Sequence, residues 1–138
     1  MQIKMWSAGA LTAAVVAGCG SGSSAATDPV SVAKQWYAAL ATRNGQKICE
    51  IGTPERNAAM IELTAGLVKG ASCVASANRL LQIIPAKRLA EFGRARPTLT
   101  KQSGDSAEVA KGPGGGWVKL QRSGSKWLVA TTSEEGTS

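Results

Sequence analysis

The apolar residues of this chain keep one rhythm up to Pro97 and another after it, and that single change limits the folds open to it. Before Pro97 they recur at helical spacing. Val30, Ala33, Tyr37 and Leu40 form one stripe with Trp36 beside it. Met60, Ile61, Thr64, Leu67 and Val68 line one side of a second helix, and Ala77, Leu80, Leu81 and Ile84 stand at i, i+3, i+4 and i+7 of a third. After Pro97 the period is two. Ala107 and Val109, Val118 and Leu120, and Trp127 and Val129 are then the inward sets of successive strands. Helices first and strands afterwards specify an α+β domain, with N-terminal helices packed on a curved four-stranded antiparallel sheet.

The element ends are marked by local chemistry. Asp28-Pro29 and Thr53-Pro54-Glu55 each offer a side-chain cap followed by proline at the first helical position. Ser72 is the corresponding cap for the third helix. Asn44-Gly45 is expected to end the first helix through a left-handed glycine, and Lys69-Gly70 to end the second. Pro85 interrupts the third, and "AKRLAEFGRA" is a short helix or turn with Leu89 and Phe92 as its apolar contacts. "SGD" and "SGS" are tight turns between strands, and "GPGGG" is a longer loop.

The start of the chain reads differently. Lys4 is the only charge before Asp28, and residues 5–17, "MWSAGALTAAVVA", form an apolar core of leader length. A stable bilayer-spanning helix needs ~20 apolar residues. The run ends in Val16-Ala17-Gly18-Cys19, followed by the polar, flexible "GSGSSAAT". "VAGC" resembles the lipobox of bacterial lipoproteins position by position. The resemblance implies cleavage before Cys19, diacylglycerol on its thiol and acylation of the new amino terminus. An ordinary secretory leader with a chance cysteine is the competing reading. The expected organisation is a lipoprotein signal peptide (1–18), a lipidated Cys19 with a Gly/Ser linker (19–28), one folded domain (29–132) and a frayed tail (133–138). The mature chain then has 120 residues, a length for one domain, and is anchored to the outer face of a cell membrane. Two or three acyl chains suffice for stable anchoring.

With Cys19 given to lipid, Cys49 and Cys73 are left as a pair in an oxidising compartment, so a disulfide between them is expected. Their spacing is not that of a redox-active C-x-x-C motif. There is no histidine, which excludes a Ser-His-Asp triad, a Cys-His dyad and any His-containing zinc site; no metal and no cofactor are expected. Without Lys4, fifteen basic residues face nine acidic ones, a net +6. The densest basic group is Lys87, Arg88, Arg94, Arg96 and Lys101, which reads either as a solvated face or as a surface drawn to an anionic membrane or wall polymer. Export argues against nucleic acid as the partner.

The order of these features resembles small secreted lipoproteins of the NTF2-like superfamily in high-GC Gram-positive bacteria. The likeness rests on "VAKQWYAALATRNGQKICE", "TPERNAAM", a cysteine before the third helix, "SGDSAEV" and the closing "GSKWLV", and covers about residues 29–131. It implies a cone in which a bent sheet wraps the helices and can leave a pocket. Some members are isomerases, cyclases or dehydratases, and many are binding or assembly modules. Catalytic members usually place an Asp or His in the pocket. Here no acid falls on an expected inward position: Glu50 follows Cys49 in a turn, Glu62 lies beside an apolar stripe, and Glu108 alternates outward from Val109. An open apolar pocket with Glu50, Glu62, Glu91 or Glu108 pointing into it would instead favour an enzyme. "KGPGGGW", Lys111 to Trp117, lacks the G-K-[ST] half of a phosphate loop and lies between strands, so it reads as a hairpin loop. Trp36 and Trp127 fit core positions, and Trp117 is the candidate exposed contact. The expectation is a membrane-anchored extracytoplasmic module that binds an envelope protein or a small hydrophobic ligand. A small pocket enzyme and a structural accessory of an envelope complex are the alternatives.

Overall fold

The computed structural model describes residues 28–68 and 72–133. The leader, Cys19, the linker up to Thr27, the Lys69-Gly70 helix stop and the tail beyond Ser133 lie outside the described residues. The described chain is α+β. Five helices, α1 (Pro29–Ala41), α2 (Gly45–Glu50), α3 (Pro54–Leu63), α4 (Cys73–Ile83) and α5 (Ala86–Gly93), precede four strands, β1 (Thr98–Ser103), β2 (Ser106–Ala110), β3 (Trp117–Ser123) and β4 (Lys126–Thr132).

The helix starts follow the capping rules. Carboxylate or hydroxyl oxygens of Asp28, Thr53 and Ser72 accept from the backbone N–H groups of Ser31, Arg56 and Ala75, satisfying donors that a helix start leaves open. The expected end of the first helix is corrected. α1 closes at Ala41, and the left-handed residue of the connection is Arg43, at φ 56. Asn44 does not end a helix; its side chain accepts from the Lys47 N–H and starts α2, so Glu50 is in a helix rather than a turn. Gly45 is needed for a different reason: a Cβ there would collide with the side chain of Asn78 on α4. α3 is likewise shorter than its apolar stripe. It ends at Leu63, and Leu67, assigned to the stripe, is 58% exposed.

The strands form an antiparallel meander in the order β1-β2-β3-β4. Two-residue loops close the first and last hairpins, with Gly104 (φ 58) and Gly124 (φ 65) at the position where tight hairpin loops demand a positive φ. All six expected inward residues are buried. They meet α1, whose Val32, Ala33, Trp36 and Tyr37 are at most 2% exposed, and Tyr37 stacks on Phe92 of α5. β1 is an exposed edge broken by a register shift near Thr100 and carrying Lys101, features that discourage pairing with another chain. On the opposite edge the α2–α3 connection docks on β4: Thr53 N–H donates to the Val129 carbonyl and Val129 N–H to that of Ile51. Cys49 and Cys73 are joined, with Cα atoms 6.0 Å apart, tying α2 to the first residue of α4. This pairing fits a non-reducing environment.

Candidate functional site

The helices do not close completely over one another. An apolar groove of about 270 Å³ runs between them, with walls contributed by every helix. Leu81 and Ala77 of α4 are buried at its floor, whereas Leu80 and Ile84 on the same stripe are only half-buried because their outer sides face the open space. Trp36 of α1, Ile48 of α2, Met60 of α3 and Phe92 of α5 complete the apolar wall. Thr132 is its contribution from the sheet.

Two guanidinium groups stand at this groove. Arg56 lies over the Trp36 ring, with Cζ 4.3 Å from the centroid, and Arg88 lies over Phe92 at 5.7 Å. Both are cation–π placements, which let a charged head rest on an apolar wall. Trp36 adds a buried indole N–H that has no acceptor among the described residues. No carboxylate of the described residues lines the groove. Glu50 is on the surface, 3.1 Å from the Lys47 amine. Glu62 and Glu91 are exposed. Glu108 is on the outer sheet face, in register with Lys101 on one side and Lys119 on the other. The four acids are thus dispersed rather than brought together.

Trp117, the candidate exposed contact, is half-buried. The Lys119 amine sits 5.0 Å from its ring centroid, and its backbone N–H donates to Ser133 Oγ. Of the tryptophans assigned to the core, Trp36 and Trp127 are both buried. Cys19 lies outside the described residues. Among the described residues there is no cluster of acids and cysteines able to hold a metal ion, and no helix is long and apolar enough to cross a membrane.

The groove residues were visible in the sequence only as core. A stripe such as Ala77, Leu80, Leu81 and Ile84 reads the same whether its neighbours fill the space or leave it open. Arg56 and Arg88 carried no distinguishing signal, although Arg88 belongs to the densest basic stretch. Comparison with protein-family models, curated proteins and solved structures found no match.

Proposed function

We propose that this chain is an extracytoplasmic, lipid-anchored binding module of NTF2-like type that takes a small apolar ligand in the groove between its helices. The observation that carries the reading is the groove itself: apolar walls, two arginines and no carboxylate among the described residues. Its volume is near the lower end of the ~300–1,000 Å³ range of ligand clefts. The unaccepted N–H of Trp36 suits a ligand carrying an acceptor oxygen at its deep end. The disulfide and the "VAGC" motif support the address, since both belong to chains processed outside the cytoplasm. The NTF2-like reading is supported by helices preceding an antiparallel meander in the expected order.

The test is titration of the full chain with a dansylated undecanoic acid, read by energy transfer from tryptophan. Leu80→Trp fills the mouth of the groove from a half-buried position and is expected to abolish the signal at unchanged thermal stability. Equal binding by the variant would remove the groove as the site.

A further inference from the structure

The densest basic stretch of the sequence is divided by the fold. Lys101 goes to the outer sheet face, beside Glu108. Arg88, Arg94 and Arg96 instead gather around the glycine-rich loop 112–116, where they meet Lys111. Lys111 is the unusual member. It is only 6% exposed, and no carboxylate of the described residues is within ion-pair distance of its amine. Its Nζ rests 5.7 Å from the centroid of Phe92.

A lysine whose stem is buried and whose amine has no carboxylate partner among the described residues favours an anion at that amine. Here the amine lies between two openings. One cavity, of about 850 Å³, is lined by Arg94, Arg96 and Lys111; the other, of about 300 Å³, by Arg88, Lys111 and Trp117. Among the described residues the one carboxylate lining either is that of Glu91, which borders both. Among the described residues, four cations therefore line the space against one anion. The backbone holds Lys111 in place from both sides. Its N–H donates to the Gly116 carbonyl at 2.9 Å, closing the loop, and its carbonyl accepts from the Arg96 N–H at 2.8 Å. The loop folds close over the amine, so that a Cβ added at Gly114 would stand 3.7 Å from Nζ.

We infer that Lys111, with Arg88, Arg94 and Arg96 at the mouths of its two cavities, forms a binding site for a phosphate or phosphodiester group. Tetrahedral phosphate oxygens point in several directions at once. They can meet the point charge of Lys111 and the forked donors of an arginine together. The partly buried setting weakens solvent screening of the attraction. This site lies beside the apolar groove and shares Arg88 and Phe92 with it, while Lys111, Arg94 and Arg96 belong to it alone. Two sources could supply such a group, a membrane-lipid headgroup or a free phosphate.

The experiment is calorimetric titration of the full chain, disulfide intact, with inorganic phosphate and with dihexanoyl phosphatidylglycerol below its micelle concentration. Dihexanoyl phosphatidylcholine serves as the zwitterionic control. Lys111→Met is expected to weaken binding by about tenfold or more, as loss of a desolvated charge contact does. Arg94→Gln, at an exposed position, is expected to weaken it by about threefold, and Glu91→Gln to strengthen it by a similar factor. Binding of both probes with these shifts identifies a general phosphate site. Binding of the glycerolipid alone identifies a headgroup site. Binding of phosphate alone identifies a free-phosphate site, and binding of neither anionic probe overturns the inference. So does binding that neither Arg94→Gln nor Glu91→Gln alters, whether or not Lys111→Met folds.

Discussion

Asp28 holds the first turn of α1 with both carboxylate oxygens, accepting from the Ser31 N–H at 2.9 Å and from the Ser31 hydroxyl at 2.7 Å. The backbone bond from Ser31 is the main reason its carboxyl is held below its ordinary range. A lowered folded pKa means stabilisation that is complete above the unfolded value and fades as pH drops through the folded one. Asp28→Ala is therefore expected to cost about 1 kcal/mol in urea unfolding at pH 7. The gap between wild type and variant should narrow steadily below pH 4. A gap unchanged at pH 2 would show that the carboxylate charge is not what stabilises the cap. Thr64 and Ser76 make a different use of polar atoms: their hydroxyls are fully buried and hydrogen-bond at 2.7 Å. Thr64→Val leaves the Ser76 hydroxyl without this partner in the interior and is expected to cost about 1–3 kcal/mol. The Thr64→Val/Ser76→Ala pair should cost less than the two single changes together. Strict additivity in a double-mutant cycle would deny the coupling.

The disulfide works between elements. It closes a loop 24 residues apart in sequence and links α2 to the start of α4, while the α2–α3 connection is held separately by its bonds to β4. The short α2 has six residues, far fewer than an isolated helix needs to persist, so its stability comes from these attachments. Replacing Cys49 and Cys73 by alanine is expected to lower unfolding free energy by about 3 kcal/mol, because the unfolded chain regains the entropy of an open loop. The loss of hydrogen-exchange protection should begin at α2. Thiol titration of the unreduced wild type should find neither Cys49 nor Cys73 reactive; a free thiol at either would contradict the pairing.

At the scale of the whole molecule, the described domain has two distinct recesses, one apolar and one basic, and the proposed lipid anchor precedes it in the sequence. The proposed placement at a membrane rests on Cys19. Mass spectrometry of the chain recovered from a native membrane should give an acylated Cys19 as the first residue. Cys19→Ser should move the protein from the membrane fraction to the soluble one. A mature chain that begins elsewhere, with Cys19 unmodified, would remove the anchor from this picture. With the proposed anchor in place, the net positive charge of the mature chain would act close to an anionic surface, where electrostatic attraction decays within about 10 Å at 0.1 M salt.

Much of the architecture is written locally. The Asp28, Thr53 and Ser72 caps, the Gly104 and Gly124 hairpins and the alternation of Ala107, Val109, Val118 and Leu120 each depend on residues a few positions apart, so they are readable before folding is considered. A break at Asn44-Gly45 is readable in this way, but the role of Gly45 is not, because it is demanded by the approach of Asn78, 33 positions along the chain. Nor is the exposure of Leu67, since the apolar period continues after the helix has stopped. The groove and the basic recess are further still from local information. A cavity is a difference between the spacing of packed elements and the volume of the side chains between them, and Lys111 meets Arg88 only because β2 and α5 are folded against the same core. Amino-acid order settles which faces are apolar; the distances between those faces follow from packing, and both candidate sites are properties of those distances.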